Sequence, residues 1–237
     1  MLGRYHDRTE GGRRLARALA EYAGRSDVLV LALPRGGVPV GFEVALALRA
    51  PLDVFVVRKL GVPSRPELAM GAIASGGVRI IDRTVMEQFG VTDAELAAVA
   101  AVEGEELQRR ERLYREGRPA PDVTGCVVIL VDDGLATGAS MSAAVRALRA
   151  RLPAGLVVAV PIAAPETCDA IRELVDDIVC VATPEPFVAV GLWYQDFSET
   201  SDDEVRSLLA QAAREARAPA LGRDDRAGDD EGPGPVW

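Results

Sequence analysis

The stretch Val127-Val-Ile-Leu-Val-Asp132-Asp133-Gly134-Leu135-Ala136-Thr137-Gly138-Ala139-Ser140 decides how the rest of the chain is read. Its apolar run is too continuous for a half-exposed strand and suits a strand covered on both faces, as in a parallel sheet. The run ends in two acids. A loop of small and hydroxyl residues then opens a helical pattern over 139–151. Free backbone N–H groups at a helix start, with a favourable dipole, make an anion site. Gly134, Gly138 and Ala139 let the backbone come close, and Thr137 and Ser140 add hydroxyl donors. The adjacent acids can accept hydrogen bonds from vicinal hydroxyls. Phosphate donors on one side and diol acceptors on the other describe a cradle for ribose 5-phosphate.

Working outward, similar β-rich runs occur at 28–33, 52–57, 126–131, 156–162 and 178–182, with helical patterns at 39–49 and 165–175. Pro165-Glu166 is a helix-start signal. This alternation predicts βαβ units and an α/β fold. Residues 8–23 read as one helix, with Leu15, Leu19 and Tyr22 on one side. Two further helices are expected within 82–116, whose charge-laced second half reads as a solvated face. The expected organisation is a domain over 1–218, a helical insertion at 82–118 and an acidic tail at 219–237. The tail's Ala/Gly/Asp/Pro composition reads as disordered.

Composition removes several chemistries. The 27 Lys plus Arg comprise 26 Arg and the lone Lys59, and His6 is the single histidine. A multi-histidine zinc site or a Ser-His-Asp triad would have to use His6. A nucleophile elbow around Ser140 fails because position 142 is Ser rather than Gly. A Walker loop needs a lysine after glycine, and Lys59 follows Arg58. The net charge of −9 argues against nucleic acid as a partner. No apolar run approaches a membrane span. Cys126, Cys168 and Cys180 lack metal-ligand spacing; Cys126 and Cys180 read as buried thiols, and a reducing cytoplasm is expected.

The fourteen-residue string resembles the signature of type I phosphoribosyltransferases, which bind 5-phosphoribosyl-1-pyrophosphate (PRPP). The resemblance spans roughly residues 28–200 and implies a parallel-sheet core with flanking helices, the helical insertion and a small C-terminal hood. It implies that Asp132 and Asp133 hold the ribose hydroxyls, directly or through waters on Mg²⁺. Leu135, Ala136, Thr137, Gly138, Ala139 and Ser140 would hold the 5-phosphate. Pro34-Arg35-Gly36-Gly37, after the first strand, is similar to the pyrophosphate loop, with Arg35 as charge and Gly36 and Gly37 as room. Arg58, Lys59 and Arg65 follow the 52–57 strand, where the family places a mobile lid over the reacting centre, here 58–70. A sequence that uses Arg almost everywhere keeps its one lysine there. The aromatic-dense segment 184–200 loosely resembles the hood of hypoxanthine-guanine-type enzymes, making Phe187 and Trp193 candidates to meet the acceptor. A homodimer is implied by family habit.

The pattern also departs. Where hypoxanthine-guanine-type enzymes carry an Asp in the phosphate loop, this chain has Ala136, and no lysine lies near 160–170 to read an oxo-purine. The chain most resembles phosphoribosyltransferases whose acceptor is unassigned. The expected activity is Mg²⁺-dependent transfer from PRPP to a nitrogenous acceptor, with Arg35, Lys59, Asp132 and Asp133 as catalytic residues. The alternative is a non-catalytic module that binds PRPP or a ribose phosphate as a signal. A phosphoester hydrolase would need Asp-x-Asp after the strand, and here the acids are adjacent.

Overall fold

The computed structural model describes residues 3–216. Its elements begin with α1 (Arg8–Ala18), β1 (Val28–Ala32), α2 (Gly37–Leu48) and β2 (Leu52–Val54). There follow β3 (Val57–Val62), β4 (Arg65–Ala74), β5 (Val78–Ile81), α3 (Arg83–Phe89) and α4 (Asp93–Arg115). The chain continues through β6 (Val127–Val131), α5 (Ala139–Arg149), β7 (Gly155–Ile162), α6 (Pro165–Arg172), β8 (Asp177–Ala182) and α7 (Asp202–Glu215).

Five strands form a parallel sheet in the order β2-β1-β6-β7-β8. Every residue of β1 is buried, as two covered faces require. Val28, Val30 and Ala32 join one core with Leu15, Leu19, Val40, Val44 and Leu209, from α1, α2 and α7. Leu29 and Leu31 join the other, with Met141, Val145, Leu148 and Ile171 from α5 and α6. The strand order reverses its winding direction between the parallel neighbours β1 and β6. From β1 the chain winds through α2 to β2, and from β6 it winds the other way through α5 and β7 to β8. In open α/β sheets the crevice beyond the carboxyl ends of such a strand pair is where ligands bind. The register Ala32↔Val131 sets the loops after β1 and β6 side by side at that crevice.

Several expectations need correction. The helix expected at 8–23 breaks at Leu19 and finishes as a 3₁₀ turn, Ala20–Tyr22. The 52–57 run is divided between two sheets: it leaves the parallel sheet after Val54, and Val57 opens a separate antiparallel sheet, β3-β4-β5. Residues 58–70, expected as a lid loop, lie mostly in its first two strands, because their backbone groups find partners across the hairpin. The 82–116 segment holds the two expected helices, α3 and α4. Cys168 is the buried thiol, while Cys126 and Cys180 are half-buried. The predicted tail, 219–237, lies outside the described residues. No described helix is long and apolar enough to cross a membrane.

Candidate active site

Asp132 and Asp133 follow the last residue of β6, where the buried strand runs out into the crevice. Asp133 Oδ2 accepts from Arg8 Nε at 2.8 Å, and the Asp133 carbonyl accepts from the buried Tyr194 hydroxyl at 2.6 Å. Burial and the neighbouring Asp133 carboxylate push the Asp132 carboxyl well above the usual range. Burial also raises Asp133, with Arg8 pulling it back down.

The glycine loop after β1 presses against these acids. A Cβ on Gly36 would stand 2.1 Å from Asp133 Oδ2, and one on Gly37 would stand 2.8 Å from the Val131 carbonyl oxygen. These two positions need glycine because the acid strand end already fills the space. Arg35, in the same loop, pairs with Glu199 and lies 3.8 Å from Asp202.

The loop from Gly134 to Ser140 is fastened at its floor and open at its rim. Leu135 is buried, its N–H donates to Ile162 O, and its carbonyl accepts from Ala164 N–H. Both main-chain groups and the side chain are thus engaged, so Leu135 is the peg that holds the loop on β7. Thr167 Oγ1 donates to the Ala136 carbonyl. Gly138 caps α5 with φ +67°, and a Cβ there would meet Thr167 at 2.6 Å. Ala136, Thr137, Ala139 and Ser140 are exposed at the rim. The first N–H groups of α5 have no acceptor within the helix, so the rim can receive an anion.

The three basic candidates from the expected lid take different partners. Side chains alternate along β3, which sends Arg58 and Lys59 to opposite faces. Arg58 pairs with Glu103 on α4 at 2.6 Å. Lys59 donates to the Glu67 carbonyl at 2.8 Å and lines a cleft of 500 Å³ that also contains Ser140 and Arg146. Arg65 sits over the Phe89 ring, 5.5 Å from its centroid. Lys59 alone of the three shares a cavity with the phosphate-loop rim.

The aromatic segment packs as a strap across the crevice. Tyr194 joins Tyr5, Ile162 and Ala182 in a small core, with Phe187 and Trp193 packed against it. Phe187 also lines a shallow pocket with Ala164, Glu166 and Glu185, beside the segment that fastens the phosphate loop.

The phosphoribosyl transferase domain family matches residues 1–195. The chain belongs to that family. Two strains of Mycobacterium tuberculosis (CDC 1551 and H37Rv) each hold a relative provisionally named as a phosphoribosyl transferase, 47% identical over 211 residues. That alignment covers 89% of this chain and 47% of the relative, so the chain spans about half the length of the curated relatives it matches. The crystal structure of TT1426 from Thermus thermophilus superposes with a TM-score of 0.77 at 41% identity, covering 88% of this chain and 98% of that one.

For a phosphoribosyl transferase domain, the acid pair suits a divalent cation. Two part-buried carboxylates stand adjacent, and one guanidinium, that of Arg8, is paired with them among the described residues. No third His, Cys, Asp or Glu completes a metal cluster with them among the described residues. Remaining ligands would come from substrate and water, as magnesium sites commonly arrange. Arg8, Tyr194 and Glu199 belong to the site and were not singled out from sequence. Each meets it only through a contact of long sequence separation; the aromatic density around Tyr194 was the one available signal.

Proposed function

We propose that this protein transfers the 5-phosphoribosyl group of PRPP to a nitrogenous, nucleobase-like acceptor, releasing pyrophosphate, with Mg²⁺ as cofactor. The observation that supports it most is the meeting of three elements at the β1/β6 crevice: the Arg35-Gly36-Gly37 loop, the Asp132-Asp133 pair and the open rim of α5.

In this reading the rim residues Ala136, Thr137, Gly138, Ala139 and Ser140 bind the 5-phosphate through backbone N–H groups and hydroxyls. Asp132 and Asp133 take the ribose hydroxyls and would hold Mg²⁺, which supplies charge neutralisation for the leaving pyrophosphate. Arg35 and Lys59 meet pyrophosphate oxygens, Arg35 exchanging its carboxylate partner for phosphate. The anomeric C–O bond to pyrophosphate breaks, a C–N bond to the acceptor forms, and the acceptor nitrogen gives up its proton to solvent water. Charge at the anomeric carbon rises during the step, and fixed carboxylates nearby favour it without a covalent intermediate. Phe187 and Trp193 form the acceptor side. Three free thiols suit a cytoplasmic setting, and a homodimer is proposed from family habit.

Incubation with Mg·PRPP and a panel of bases should release pyrophosphate with one class of acceptor. Asp133→Asn should weaken Mg·PRPP binding and transfer together; unchanged affinity by calorimetry would overturn the assignment. Tight PRPP binding without pyrophosphate release across the panel would mark a regulatory module instead.

A further inference from the structure

Arg8 is tied to two segments far from it in sequence. Its Nε donates to Asp133 Oδ2 at 2.8 Å, its Nη1 donates to the Ser198 carbonyl at 2.6 Å, and its guanidinium lies 3.9 Å from the centroid of Phe197. The side chain is 12% exposed. Burying a guanidinium costs free energy unless it is paired and hydrogen-bonded in good geometry, and here it is paired with a carboxylate of the site. Only one carboxylate oxygen is used. Asp133 Oδ1 has no hydrogen bond among the described residues, and no buried side-chain oxygen there lacks a partner, so Oδ1 opens to solvent.

The strap that Arg8 holds touches both halves of the crevice. Tyr194 bonds the Asp133 carbonyl, Phe197 stacks on the Tyr194 ring at 5.2 Å, and Glu199 pairs with Arg35. Gly36 is shaped around the same pair: a Cβ there would also stand 3.3 Å from Arg8 Nε. A role confined to anchoring α1 would require none of this convergence on Asp133.

We propose that Arg8 is a positioning residue: it fixes Asp133 with Oδ1 presented to the substrate's ribose, and it couples that carboxylate to the strap at 194–199. This rests on the transfer reading given above. Substrate arriving at Asp133 is therefore felt at the strap, and loosening of the strap is felt at Asp133.

The test uses the chain over residues 1–237 carrying Trp237→Phe, which leaves Trp193 as the one tryptophan within it. In ligand-free protein, Arg8→Ala should speed amide exchange at 195–199 while core amides of β1 and β6 keep their rates. Loss of one charge-assisted contact corresponds to at least about a tenfold rise in KM for PRPP, with a smaller fall in kcat. PRPP should change Trp193 fluorescence in the parent; in Arg8→Ala that change should disappear, and Arg8→Lys should restore part of both effects. Phe197→Leu keeps the ion pair and removes the stacking partner; it should speed strap exchange and raise KM by a smaller factor. An Arg8→Ala protein that binds PRPP as tightly as its parent, with the same fluorescence change, would overturn the proposal. So would a Phe197→Leu protein with a loosened strap and unchanged KM. Failure of the parent protein to bind Mg·PRPP would instead remove the transfer reading itself, and that result is separate because it needs no Arg8 variant.

Discussion

Gly36 and Gly138 show how differently two glycines can serve one site. Gly36 has φ −58°, which any residue adopts, yet its missing side chain leaves the space that Asp133 Oδ2 fills. Gly36→Ala should therefore displace the carboxylate and disturb its pair with Arg8, at a cost of about 1–3 kcal/mol of stability. We expect affinity for Mg·PRPP to fall by about tenfold or more, the scale of one misplaced charge-assisted contact, measured by calorimetry, with the stability cost read from denaturant midpoints. Gly138 differs in having φ +67° and Thr167 behind it. Gly138→Ala should cost about 1–2 kcal/mol of stability from the left-handed backbone alone, read by urea unfolding. The sequence pattern marked both as places of close approach. What approaches Gly36, a carboxylate from a loop nearly a hundred positions away, is a tertiary fact that only the β1/β6 pairing reveals.

Among elements, the antiparallel sheet β3-β4-β5 was least legible beforehand. The family resemblance implies a lid over 58–70, yet two glycines of this sheet lie where strands pass too closely for a side chain. A Cβ on Gly61 would stand 2.5 Å from the Pro66 carbonyl oxygen, and one on Gly71 would stand 2.4 Å from that of Ile80. The strands of the parallel sheet were legible because burial on both faces writes itself as continuous apolar residues. In the antiparallel sheet, set between α4 and α5, two adjacent cations take different partners although both line one cavity beside Glu103. Arg58 faces Glu103 of α4, and Lys59 faces the cleft with Ser140. Lys59→Ala should reduce transfer by an order of magnitude or so, as loss of a charge stabiliser does, with no change in unfolding midpoint. Arg58→Ala should leave KM for PRPP within about twofold and shift stability by about 1 kcal/mol, the worth of a partly exposed pair after screening. Steady-state kinetics and chemical denaturation on the two variants separate these outcomes.

At the scale of the molecule, the question is what joins the helical insertion to the parallel sheet. The charge run in α4 reads as a solvated face, and for Arg109 it is one, at 52% exposure. Arg115, further along the same run, is only 5% exposed. Its Nε reaches both Asp53 oxygens at 3.2 Å, its Nη1 reaches Glu111, and its Nη2 reaches the Val54 carbonyl at 2.9 Å. Asp53 belongs to β2, the edge strand, so Arg115 closes the gap where the chain leaves one sheet for the other. One run of charged residues thus contains both solvent dressing and a structural tie, and periodicity could not sort them because the discriminating partner lies 62 positions back. Removing the guanidinium leaves the part-buried Asp53 carboxylate without its charge partner, with the Val54 N–H as its remaining donor. Burial already pushes that carboxyl upward against the pull of Arg115, so the uncompensated carboxylate would be costly. Arg115→Ala should destabilise the protein by about 3–5 kcal/mol, whereas replacing both partners by apolar residues of similar volume should recover most of that loss. Arg109→Ala, on the exposed side of the same helix, should stay within about 0.5 kcal/mol of the parent. Equal losses at the two arginines in guanidinium denaturation would show that the insertion is held by α4 packing alone, and that the Arg115–Asp53 pair carries no special share of the junction.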